Sequence, residues 1–208
     1  MKKFVVCMFL LINVFAFAQN KKKVLPKELI GVVLTKNEDL SVELFKSNLY
    51  LFRIDGKLKK DTLLLKNFTG TPTPVDCVIK KFKSKEVPLY LITWNEKAVV
   101  ETTTKQEEVT NACSQIWNPA TKLKVFDNEQ KSTKIKEQVF LDKLKTASET
   151  QHRMRNEGYT FTLLPTGEFT LRNKAAESKY VLNPTLMKYE VPVKAAAQAS
   201  PPVKKKKK

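Results

Sequence analysis

Short apolar runs and polar breaks alternate along this chain at strand spacing. Leu29 to Leu34 is rich in Ile and Val, Thr35 to Asp39 is a polar turn, and Leu40 to Phe45 resumes the apolar character. Leu49 to Ile54 and Lys57 to Leu65 flank Asp55-Gly56. Asp-Gly between two such runs predicts a hairpin, because both central turn positions need positive φ. Cys77 to Lys81 is short and β-like, and Lys80 to Lys85 is basic and expected at the surface. Val87 to Trp94 predicts a strand, Asn95-Glu96-Lys97 a turn, and Ala98 to Thr104 the returning strand. Lys105 to Ser114 is polar and reads as a short helix or a loop. Two later hairpins turn at Pro165-Thr166-Gly167 and at Asn183-Pro184-Thr185. Their strands are Tyr159 to Leu164 with Glu168 to Arg172, and Lys179 to Leu182 with Leu186 to Val191.

Residues 132–156 follow a different period. Ser132 or Thr133 can cap a helix start. Phe140, Leu144, Ala147, Gln151 and Met154 then fall on one face, extended by Ile135 and Val139. Glu149 and Arg153 sit four apart, and Asn156-Glu157-Gly158 supplies a stop. The predicted fold class is therefore α+β: mostly antiparallel β hairpins with one long amphipathic helix over 132–156.

The ends have separate roles. Lys2 and Lys3, the apolar stretch Phe4 to Phe15 and the small-x-small Ala16-Phe17-Ala18 make residues 1–18 a secretory signal peptide. The stretch is shorter than the roughly 20 apolar residues of a membrane span. Cys7 lies inside it, away from the position an acylated cysteine takes after cleavage, where Gln19 stands. The expected product is exported, to the periplasm or the exterior. It comprises one domain over 19–191, with a possible sub-boundary at 69–74, and a disordered Lys-rich tail over 192–208. In an oxidising compartment Cys77 and Cys113 are the disulfide candidates, a bridge worth about 3–4 kcal/mol in the chain-entropy model.

Charge sharpens this division. The chain carries 38 Lys+Arg against 21 Asp+Glu, a net charge of +17, and the excess concentrates at Lys21, Lys22, Lys23 and the tail. Lys204, Lys205, Lys206, Lys207 and Lys208 close the sequence. Such a run predicts electrostatic contact with an anionic envelope polymer or membrane surface, at about 1 kcal/mol per lysine near an anionic membrane. Lysine offers no bidentate recognition, so specific nucleic-acid binding is not expected. No feature names a protein partner.

Candidate chemistry is sparse. His152 is the single histidine and reads as a surface residue. The five glycines are isolated, so no phosphate-cradling loop is formed. Two exported cysteines and one histidine cannot complete a zinc site from N and S donors. Glu38-Asp39 and Asp127-Asn128-Glu129 lack calcium-loop spacing and read as solvated turns. Asn67-Phe68-Thr69 and Asp61-Thr62-Leu63 are short glycosylation-type sequons. No catalytic residue, metal or cofactor is assigned.

The leading reading is a non-catalytic exported binding module whose cationic tail contacts anionic surface polymer. The alternative is a carboxylate-dependent polysaccharide hydrolase. It would draw on Glu101, Glu107 and Glu108 beside Trp94 and Trp117, whose rings could stack on sugar if exposed.

Overall fold

The computed structural model describes residues 31–55, 58–68 and 73–192. The chain divides into two units, Met1–Gly31 and Val32–Lys208, and the described strands all lie in the second. The signal-peptide segment, the hairpin tip at Gly56 and the tail lysines Lys204 to Lys208 lie outside the described residues.

Thirteen strands and no helix make up the described chain, so the expected α+β class is corrected to all-β. The first sheet is a meander of β1 (Val32–Asn37), β2 (Leu40–Phe45), β3 (Asn48–Asp55) and β4 (Leu58–Asn67). The central sheet joins β5 (Pro74–Ser84), β6 (Val87–Glu101), β7 (Lys105–Asn118), β8 (Leu123–Phe140) and β9 (Ser148–Gly158) in chain order. The third sheet joins β10 (Thr160–Leu163), β11 (Phe169–Arg172), β12 (Glu177–Asn183) and β13 (Lys188–Glu190). Every pairing is antiparallel between neighbours in the chain.

The residues predicted as a helix are the second half of β8, a turn and β9. Gln130 to Phe140 pairs residue by residue with Gly158 to Ser148. Thr133, Ile135, Glu137 and Val139 are covered to varying degrees, while Lys134, Lys136, Gln138 and Phe140 are exposed. That period of two is a strand's. The apolar helix face proves fortuitous: Leu144 and Met154 are 84% and 61% exposed. The turn between the strands is organised by Asp142, whose carboxylate accepts the Thr146 and Ala147 N–H groups at 2.9 and 3.0 Å and the Thr146 hydroxyl. Likewise, the turn expected at Asn95–Lys97 is the interior of β6, which runs to Glu101, and the polar segment from Lys105 is β7.

Side chains of the central sheet alternate between two faces. Toward the first sheet, the front, Tyr90, Ile92, Trp94, Cys113 and Trp117 pack with Leu40, Val42, Leu49, Leu51, Leu65 and Phe68. Toward the third sheet, the back, Leu89, Leu91, Ile116 and Val125 pack with Phe169, Leu182 and Tyr189. Phe169 lies against four aromatic rings, Phe126, Phe161, Tyr180 and Tyr189, with centroids 4.2 to 5.1 Å away. These two cores form a three-layered hub.

The third sheet seats on the central one at Gly167. Its φ is +79°, and a Cβ there would stand 2.1 Å from the Lys83 carbonyl oxygen. The Tyr189 hydroxyl donates to the Gly167 carbonyl at 2.7 Å. Gly167→Ala must therefore strain the turn and push the two sheets apart. The expected cost is about 2 kcal/mol or more, read as a fall in Tm of about 4–8 °C by calorimetry. An unchanged Tm would show that this contact does not hold the sheets together.

Candidate functional site

β6 to β9 outrun the layers that cover them. Beyond Trp94 and Cys113 the central sheet continues as a blade made of residues 95–101, 105–112, 129–140 and 148–158. Val99 and Val100 are neighbours pointing to opposite faces, and they are 62% and 52% exposed. Both faces of the blade are therefore open over this stretch.

Where the blade leaves the hub, a buried polar knot holds the strands. Glu96 is 3% exposed. Its carboxylate accepts the Trp94 indole N–H at 2.8 Å, faces the Cys113 thiol at 3.4 Å and pairs with Lys66 of β4 at 2.8 Å. Lys66 also reaches Glu129 at 3.3 Å. Burial of the Lys66 ammonium opposes its charge, but the Glu96 hydrogen bond and the charges at Cys113, Glu96 and Glu129 leave its pKa above the ordinary lysine value. Nearby, Gln115 accepts the Trp117 N–H at 2.9 Å and donates to the Leu65 carbonyl at 3.2 Å. Both tryptophans are thus core residues with satisfied N–H groups, not ligand-stacking platforms.

Cys77 and Cys113 are free thiols rather than the expected disulfide. The topology explains this: β6 lies between β5 and β7, and Cys113 pairs with Trp94 on it. Two strand spacings put residues about 10 Å apart, beyond the roughly 4.4–6.8 Å Cα separation a disulfide tolerates. Desolvation pushes the Cys77 thiol up to about 12. Burial and the carboxylates of Glu96 and Glu129 push Cys113 up as well. Neither is a nucleophile near neutral pH.

On the blade, the two faces differ. The front carries Lys105, Lys131, Arg153 and Arg155 with Glu96, Glu107, Glu129, Glu137, Glu149 and Glu157. Lys105 bonds Glu107 at 2.7 Å, Arg155 bonds Glu157 at 2.8 Å, and Arg153 bonds Glu137. The Lys105 hydrogen bond holds the Glu107 carboxyl below its ordinary value. The back instead has an amide and hydroxyl ladder: Gln130 to Thr160 at 2.9 Å, Ser132 to Asn156 at 2.8 Å and Gln138 to Ser148 at 2.8 Å.

Three depressions follow one another along the back. The largest, about 600 Å³, lies where the third sheet meets the blade and includes Gln130, Asn156, Arg172 and Lys174. The next, about 410 Å³, includes Gln106, Glu108, Lys134, Lys136, His152 and Met154. The last, about 320 Å³, reaches the blade tip at Glu101 and Thr102–Thr104. Lys134, Lys136, Arg172 and Lys174 close no ion pair with a described residue. Glu108 and Glu177 stand across from Lys134 and Arg172 in the ladders.

The candidate acids are split by the sheet. Glu101 and Glu108 lie on the back, Glu107 on the front. Glu38 and Asp39 do form a turn, whereas Asp127 and Glu129 belong to β8. Asp61, in one of the sequons, bonds Lys122 at 2.6 Å. Sequence reasoning passed over Glu96, Lys134 and Lys136. The signal was the period-two spacing of Trp94 with Glu96 and of Lys134 with Lys136. Against known protein families, curated proteins and solved structures, the chain finds no match.

The polar knot generates a pH dependence. In the unfolded chain the thiols ionise near 9.0, while folded Cys77 and Cys113 keep their protons well above that. Lys66 is also raised when folded, so its contribution is full below about 10.5 and is lost above it. The folded state binds more protons in this range, and stability must fall as pH rises. Urea unfolding is expected to show a declining free energy from pH 9 to 11, with a shallower slope in the Cys77→Ala/Cys113→Ala variant. A flat or rising profile for the unsubstituted chain would contradict the assignment.

Proposed function

We propose that this chain is an exported, non-catalytic binding protein for an extended anionic polymer, held along the back of the blade and tethered by Lys204 to Lys208. The observation that carries the reading is the row of unpaired cations Lys134, Lys136, Arg172 and Lys174 along successive depressions of an open sheet face. Amides at Gln106, Gln130 and Asn156 line the same face. They retain donors and acceptors for sugar hydroxyls after their mutual bonds are made. The depressions include no Phe, Tyr or Trp ring on which a base could stack, and His152 is their single aromatic side chain. An acidic polysaccharide fits this lining better than single-stranded nucleic acid. The hydrolase reading needs paired acids beside an exposed indole, whereas Trp94 and Trp117 are buried and Glu107 faces away from Glu101 and Glu108.

The test is retention of the full chain on a dextran sulfate resin across a NaCl gradient. Lys134→Glu/Lys136→Glu should weaken affinity about thirtyfold or more, given about 1 kcal/mol per lysine at an anionic surface. Lys131→Glu on the front should change it less than about twofold, and removal of Lys204–Lys208 should advance elution further. Failure of the full chain to bind at low salt, or equal losses from front and back substitutions, would overturn the reading.

A further inference from the structure

β9 is the last strand of the central sheet among the described residues, and ten of its eleven residues are exposed. An open edge of this length presents a row of backbone N–H and C=O groups ready to pair with another strand. We infer that β9 pairs antiparallel with β9 of a second copy of this chain, about a two-fold axis normal to the sheet. The two blades then form one continuous ten-stranded sheet. The edge adjoins the back-face depressions, which include Thr150, His152, Met154 and Asn156, but the pairing does not depend on the polymer-binding reading.

Charge selects the alignment. A two-fold axis normal to the sheet keeps each face on its own side, so residues pair with partners of the same parity. Full overlap would centre on Arg153, placing Arg153 against itself and Glu149 against Glu157 twice. A shift of two residues toward the C-terminus sets Arg153 against Arg155 twice. Like charges directly opposed are destabilising, so both alignments are rejected. A shift of two residues the other way centres on His152. Glu149 then meets Arg155 twice, Gln151 meets Arg153 twice, Thr150 meets Met154 and Ser148 meets Asn156. This alignment uses Ser148 to Asn156 of each strand and is the longest without opposed like charges. Within one chain, Arg155 bonds Glu157, and Gln151 donates to Glu149 at 2.6 Å. These contacts are exposed and exchange at little cost. Arg153 keeps its Glu137 partner on β8.

The experiment is sedimentation equilibrium of the full chain with paired charge variants. The expected result is a concentration-dependent dimer whose dissociation constant rises about tenfold in E149R, which sets two repulsive pairs in place of two attractive ones. The double variant E149R/R155E should return to within about threefold of the original. Mild oxidation of H152C should link two chains, since directly opposed Cα atoms lie about 4.5–5.5 Å apart, within disulfide reach. M154C, opposed to Thr150, should not cross-link with itself. A monomer at every concentration, a double variant no better than E149R, or M154C cross-linking as readily as H152C would overturn the proposal. Resin binding by a monomeric variant, measured alongside, keeps this outcome distinct from the fate of the polymer reading.

Discussion

The buried carboxylate of Glu96 is the interaction on which the architecture turns. It sits where the covered part of the central sheet ends and the open part begins. A carboxylate at 3% exposure is costly unless it is paired and hydrogen-bonded. Here an ammonium from the first sheet and an indole N–H from its own strand meet that requirement. The same contacts fix β4 against the front of β6 and β7. Loss of Glu96 would leave Lys66 and Trp94 without their acceptor and would loosen the base of the blade together with the hub's front core.

Beyond that point the sheet is held by ladders across its strands rather than by a second layer. On the front the ladder is ionic, and on the back it is made of amides and hydroxyls. Exposed pairs of this kind contribute little individually. Their effect lies in repetition along eleven unbroken register pairs between β8 and β9. Untwisted or uncovered sheets depend on such side-chain ladders. The front ladder pairs Lys105, Arg153 and Arg155 with carboxylates, whereas Lys134 and Lys136 on the back close no ion pair with a described residue.

How much of this was legible in the chain depended on burial. Hairpins with committed turn chemistry were readable in kind but not in register: Asp55, expected in the turn, ends its strand opposite Leu58, and Asn183, which accepts the Thr185 and Leu186 N–H groups at 3.2 and 3.3 Å, ends its strand opposite Lys188. The strand Leu40–Phe45, buried on both faces over Leu40 to Glu43, was readable to the residue. The blade was not, because a strand open on both faces has no need to alternate apolar with polar. Its few apolar residues, Phe140, Leu144 and Met154, fell at helical spacing without any core to meet. Asn95-Glu96-Lys97 resembled a turn because a buried glutamate in mid-strand is justified only by Lys66, thirty residues earlier, a partner that local pattern does not disclose. The open face escaped notice for the same reason, since Lys134 and Lys136 gain meaning only when β7 and β9 flank them.

The nearest-neighbour order of all three sheets has a consequence for how the chain acquires its shape. Each strand bonds only to the strand before or after it, so no sheet waits for a distant segment to arrive. Loop-closure entropy is small for such pairings, and local contacts speed folding. The three meanders can therefore form in succession from the amino end as the polypeptide emerges. The first sheet is complete before the long strands begin, and the third closes the back core last. A chain threaded through a narrow opening in extended form could assemble itself on the far side in that sequence.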